Sequence, residues 1–146
     1  MAQISVRALQ SADKEAWLAL WAGYLAFYKA MLAPEVTQTA FARLTGGEDA
    51  MFGLVAEQDG RVTGIAHCIV HRSTWAIAPY VYLNDLFVAP DTRGSGAGRA
   101  LIEAIYKRAD ETGAERVYWL THESNATARK LYDSLAVNDG FLEYRR

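Results

Sequence analysis

The residues best suited to chemistry lie in one stretch, Leu86-Phe87-Val88-Ala89-Pro90-Asp91-Thr92-Arg93-Gly94-Ser95-Gly96-Ala97-Gly98-Arg99. An apolar run stops at a proline, crosses a glycine-rich bend and enters an amphipathic segment. Glycine reaches backbone conformations closed to other residues and lets a ligand approach the main chain. A helix start presents unpaired N–H groups and the positive end of its dipole, and both favour an anion. The chemistry predicted is a cradle for a phosphate or diphosphate. Two nucleotide loops are excluded. A P-loop needs a lysine and a hydroxyl after its last glycine, but Gly98 is followed by Arg99 and Ala100. A dinucleotide fingerprint needs glycine at its sixth position, where counting from Gly94 or Gly96 gives Arg99 or Leu101.

What remains is Arg93-x-x-Gly96-x-Gly98 between an apolar strand and a helix. A second block, Asn125-Ala126-Thr127-Ala128-Arg129-Lys130-Leu131-Tyr132, sets an asparagine before a helix that bears a tyrosine. Together, in this order, the blocks resemble the GNAT superfamily of N-acetyltransferases, over a stretch from about Met51 to the end of the chain. The resemblance implies acetyl-coenzyme A as cofactor and an amine as acceptor. It implies that Arg93, Gly94, Ser95, Gly96, Ala97, Gly98 and Arg99 wrap the diphosphate, and that Leu86, Phe87 and Val88 pair with the pantetheine arm. Asn125 is expected to hold that arm, with Tyr132 beside the sulfur. Tyr82-Leu83-Asn84-Asp85-Leu86-Phe87-Val88 is similar, more narrowly, to the diamine and the histone-and-protein acetyltransferases.

Acyl transfer from a thioester to an amine needs an oxyanion donor, an acid for the thiolate and a base for the amine. A backbone N–H at Val88 or Phe87 can serve the oxyanion. Tyr132 is the candidate acid, because a phenol and a thiol have comparable proton affinities. Spermidine/spermine acetyltransferases carry a glutamate where this chain has Asn84, which cannot be a base. Asp85 and Glu123 are the remaining candidates, with a water chain as a third. Asn84, Tyr24, Tyr28 and Trp75, the last in a loop expected from Arg72 to Pro79, are the candidate acceptor-side residues. Without a working base the same cofactor loop would serve a coenzyme A-binding or sensing module, and that alternative stays open.

The elements that must position these groups follow from periodicity. Ile4 to Arg7 alternates as a strand. From Asp13 to Met31, Trp17, Trp21, Tyr24 and Tyr28 share one helical face. Pro34 ends that helix or opens another that runs to Gly46-Gly47. Met51–Glu57 and Val62–Val70 flank an Asp59-Gly60 hairpin turn, and Tyr80–Val88 forms the strand before the glycine bend. Gly98, Leu101, Ile102, Ile105 and Ala109 mark a buried helix stripe ending at Gly113. Arg116–Thr121 is a strand, Ser124 or Asn125 caps a helix, and Phe141–Arg145 is predicted as a last strand. The order β-α-α-β-β-β-α-β-α-β predicts a single α/β domain over residues 1–146, a mixed, mostly antiparallel sheet with helices on both faces.

The 146 residues, 51% hydrophobic and 22% charged with net charge −2, suit a globular domain and give no basic field for nucleic acid. Cys68 is the single cysteine and reads as a small core residue. His67, His71 and His122 lack metal-ligand spacing, so no metal is expected. No signal peptide or membrane span is legible, and a cytoplasmic location is expected. With one strand after the tyrosine helix, an open sheet edge predicts a homodimer.

Overall fold

A computed structural model describes residues 3–47 and 50–146. Five strands form one sheet in the order β1-β2-β3-β4-β5, where β1 is Ile4–Ala8, β2 Met51–Gln58, β3 Arg61–Ser73, β4 Ala76–Val88 and β5 Arg116–Tyr118. The first four are antiparallel neighbours and β5 joins β4 in parallel. Four helices cover the sheet: α1 (Lys14–Phe27), α2 (Pro34–Gly46), α3 (Ala97–Thr112) and α4 (Ala126–Leu135). Strand alternation divides the core in two. Ala66, Cys68, Val81 and Leu83 face the α3 stripe of Leu101, Ile102, Ile105 and Ala109. Val55, Ile65 and Phe87 face Trp17, Leu20 and Trp21 of α1 and Phe41 and Leu44 of α2. No helix among the described residues is long and apolar enough to cross a membrane.

Local chemistry explains the boundaries. Asp59 and Gly60 take positive φ at the β2–β3 turn, as an Asp-Gly hairpin requires. Pro34 occupies the first turn of α2, where a missing N–H costs nothing. Helix α1 stops at Phe27, short of the expected Met31, because Lys29 turns to φ +53°. The 72–79 segment, expected as a loop, is mostly strand: Ser73 pairs with Ala76 across a tight turn at Thr74-Trp75.

Two expectations at the far end of the chain need correction. Strand β5 stops at Tyr118 instead of Thr121. Phe141–Arg145 is not a strand: residues 136–146 contain no helix or ladder, and Phe141, Leu142 and Tyr144 are exposed. A five-residue segment has no stability as a strand without a partner, and the described ladder offers it none.

The feature that most shapes the site is a bulge in β4. His67 pairs with Asp85 but Cys68 pairs with Leu83, so Asn84 is an extra residue with no opposite number. Such a bulge changes which face the following side chains occupy. Tyr82 and Asp85 therefore lie on the α1 face together, although they are three residues apart. Without the bulge, Asp85 would join Leu83 behind the sheet.

Candidate active site

Strands β4 and β5 pair only from Tyr80–Arg116 to Tyr82–Tyr118 and then separate. Beyond that fork, β4 keeps β3 on one side alone. Ala89 N–H donates to Thr63 O at 2.8 Å, which fixes the alternation: the amides of Leu86 and Val88 turn to the open side and that of Phe87 turns to β3. Of the two oxyanion donors considered, only Val88 has its N–H on the fork side. On the diverging chain, Thr121 Oγ1 is buried with no hydrogen-bond partner. Four residues on, Asn125 opens α4 without using its side chain as a cap. An amide-bearing arm laid in the fork would satisfy all three features.

The glycine bend lies at the end of the fork. Gly94 and Gly96 hold φ of +83° and +96°, in the left-handed region that penalises a Cβ. Nothing lies within 4 Å of a Cβ placed on Gly94. Helix α3 starts at Ala97, so its first-turn amides face the bend without intrahelical acceptors. Arg93 donates through Nε to Val88 O at 3.3 Å, and its guanidinium lies 5.4 Å from the Phe87 ring centre. Arg99 is tied to the neighbouring helix by a 2.8 Å bond from Nη2 to Ser134 Oγ. An open bend of amides flanked by arginine fits a diphosphate.

Tyrosines and one carboxylate converge at the mouth of the fork. The α1 aromatics form a ladder in which ring centres of Trp17–Trp21, Trp21–Tyr24 and Tyr24–Tyr28 are 5.6, 5.2 and 5.0 Å apart. Burial first, then the charge and hydrogen bonding of Asp85, push the Tyr24 phenol far above its ordinary range. Tyr28 is raised by burial and by Asp85, and Tyr82 by burial, Tyr118 and Asp85. The Tyr132 phenol, raised by burial and then by Tyr28, faces the same mouth from α4 and lies 5.4 Å from the Trp119 ring. Below Asp85, His67 Nδ1 lies 2.9 Å from Oδ2, and His67 Nε2 accepts from Trp17 Nε1 at 2.8 Å. Asn84 is exposed beside Asp85, its Nδ2 3.4 Å from Oδ2.

The fold thus brings Tyr24, Tyr28, Asn84, Asp85 and Tyr132 to one cleft. It leaves two candidates outside. Trp75 is 83% exposed at the β3–β4 hairpin tip, roughly 30 Å of strand from Asp85. Glu123 is exposed on the turn before α4, its backbone carbonyl accepting from Arg129. Tyr82, Thr121, His67 and Trp17 also line or back this candidate site, and their placement there is not legible in the sequence. His67 alternates with Cys68 along β3, and its pairing with Asp85 depends on the β4 bulge.

This architecture is that of a known enzyme class. Residues 11–136 match the family model described as Acetyltransferase (GNAT) family. The chain belongs to the GNAT family of acetyltransferases, and it is an N-acetyltransferase that uses acetyl-coenzyme A. It is 39% identical over 146 residues to the D-amino-acid N-acetyltransferase of Saccharomyces cerevisiae, covering 99% of this chain and 91% of that protein. It is 29% identical to the N-acetyltransferase YhfO of Bacillus subtilis, over 97% of this chain and 95% of the relative. In fold it superposes on AAC(6')-Iy, solved with the bisubstrate analogue CoA-S-monomethyl-acetylneamine, with TM-score 0.85 and 18% identity over 99% of this chain and 97% of that one.

Proposed function

We propose that the chain acetylates the amino group of a small free amino acid, D-configured amino acids foremost, with Asp85 as base and Tyr132 as acid. The observation that carries the catalytic roles is the convergence of Asp85, Tyr24, Tyr28 and Tyr132 at the mouth of the β4–β5 fork. The acceptor class draws on the likeness to the yeast enzyme along the whole chain. Bound in the fork, acetyl-coenzyme A supplies an acetyl thioester whose carbon takes the acceptor nitrogen as the C–S bond breaks. The Val88 N–H donates to the carbonyl oxygen as it gains charge. Asp85 removes one proton from the acceptor nitrogen, which at neutral pH arrives as an ammonium group, and releases it to solvent; the second, shed by the nitrogen as the amide forms, restores the Tyr132 phenol. Tyr132 gives its phenolic proton to the departing sulfur, and its raised proton affinity keeps that proton in place until it is needed. Arg93, Arg99 and the Gly94–Gly98 amides hold the diphosphate, and Asn125 and the β4 edge hold the arm. The tyrosine walls suit a cationic amine, since an aromatic face attracts an ammonium ion.

Thiol release measured over D-amino acids, L-amino acids, polyamines and aminoglycosides tests the acceptor class. D-amino acids should lead in kcat/KM by about tenfold or more, roughly 1.4 kcal/mol of transition-state preference. A polyamine or an aminoglycoside turning over fastest would overturn it. The reading includes a homodimer, supported by the unpaired outer edge of β5 and by exposed Leu120, Phe141, Leu142 and Tyr144 nearby in sequence. Light scattering at micromolar concentration should give twice the chain mass, and a monomer removes this part of the proposal.

A further inference from the structure

Behind the cleft runs a buried polar chain that acetyl transfer alone does not demand. Trp17 is fully buried on α1 and His67 is 3% exposed on β3. The Trp17 indole N–H donates to His67 Nε2 at 2.8 Å. An indole nitrogen can only donate, so Nε2 is the bare nitrogen of a neutral imidazole. The ring proton must then sit on Nδ1, 2.9 Å from Asp85 Oδ2, and donate to it. Two partners of fixed polarity dictate one tautomer. An imidazolium here would set N–H against N–H at the indole.

The arrangement is costly as plain core. A leucine would fill the space, whereas a buried imidazole must have both nitrogens satisfied. The surrounding aromatics hold the ring still: Trp17 and Trp21 lie 5.7 and 5.3 Å from it, and Phe41 lies 5.0 Å from Trp17. Asp85 sits directly after the bulge residue, where backbone alternation alone leaves its carboxylate free to rotate. His67 takes one of its oxygens and Tyr24 approaches from α1. The carboxylate plane is thereby set relative to the cleft.

We propose that His67, locked by Trp17 as the Nδ1–H tautomer, is a positioning residue that aims Asp85 at the acceptor nitrogen. The inference rests on Asp85 being the base. Long-range proton–nitrogen spectra of the wild-type protein read the tautomer without any substitution. Nδ1 should give a protonated-type and Nε2 an unprotonated-type signal, and a proton on Nε2 overturns the proposal. Trp17→Phe keeps a ring against Trp21 and removes the donor. It should blur the tautomer signature and lower kcat about tenfold, with KM for acetyl-coenzyme A unchanged, a fraction of what a general base supplies. His67→Leu should lose at least as much, while His67→Asn, whose amide places an N–H near the former Nδ1, should recover most of the loss. Asp85→Asn separates the two levels. If it retains turnover, the base assignment fails and the positioning role fails with it. If it abolishes turnover while Trp17→Phe and His67→Leu stay within about twofold of wild type, the base stands and only the positioning role is refuted.

Discussion

At the scale of single residues, Tyr132 faces the most direct test. Its phenol is three-fold placed: on α4, against Trp119, and near Tyr28 at the cleft mouth. Tyr132→Phe removes one hydroxyl and keeps the ring packing. Turnover should fall roughly 100-fold or more, the usual share of a general acid, while the cofactor Kd from calorimetry changes little. Unaltered turnover would transfer the acid role elsewhere. The glycine bend and the Asn125–Tyr132 block were legible because each is local: residue types at fixed spacing suffice to specify a bend or a helix face. His67 was not legible as Asp85's partner. They are 18 residues apart, and their pairing depends on one unpaired residue, Asn84, that no periodicity announces. Trp75 misled for a related reason. The 72–79 segment has the proline and polar residues of a loop, yet hairpin pairing carries it away from the cleft.

At the scale of elements, a polar clamp joins the first strand to the first helix. Arg7 on β1 donates to both Asp13 oxygens at 2.8 Å, Gln10 N–H also donates to Asp13, and Arg7 Nε reaches Glu57 on β2. The clamp fixes where α1 begins, and so where its aromatic ladder meets the cleft. Asp13→Asn should destabilise the chain by about 1–3 kcal/mol, the lower half being expected because Arg7 is a third exposed to solvent. The Arg7 hydrogen bonds hold the Asp13 carboxyl below its ordinary 3.8. A depressed carboxyl stabilises the fold above the unfolded value and loses that contribution as pH falls below it. Denaturant midpoints should therefore converge for wild type and variant toward pH 2 and separate above pH 4. The elements themselves followed well from sequence wherever a stripe and its caps coincided, as in α3 between the glycine bend and Gly113. They failed where a partner was decisive: Phe141–Arg145 has strand-like residues but no strand beside it.

At the scale of the whole molecule, the two-sided core carries a set of neutral groups that resist ionisation. Burial raises the Cys68 thiol from 9.0 to about 12, and Tyr24, Tyr106 and Tyr132 are raised above 10.0 chiefly for the same reason. The folded chain then holds more protons than the unfolded chain in alkaline solution. Stability is complete below pH 9 and is lost as pH climbs toward 12. Each such group contributes a slope of about 1.4 kcal/mol per pH unit within its own window. Urea midpoints should stay level from pH 7 to 8.5 and drop steadily from pH 9.5, with Cys68→Ala dropping less steeply at the start. A flat profile to pH 11 would mean that these groups reach solvent.

The extra residue at Asn84 has a consequence for how this strand tolerates change. It acts as a phase shift in the two-residue repeat of β4. Swapping Asn84 for another side chain leaves the extra residue in place, and deleting it closes the bulge with Leu83 and Asp85 still opposite Cys68 and His67, each on its present face. What the strand cannot absorb is keeping this residue and drawing it into the ladder, because regular alternation would then turn Asp85 to the Leu83 side. A chain lacking codon 84 should therefore keep measurable turnover, and complete loss of activity in a folded deletion variant would show that the bulge does more than set the phase.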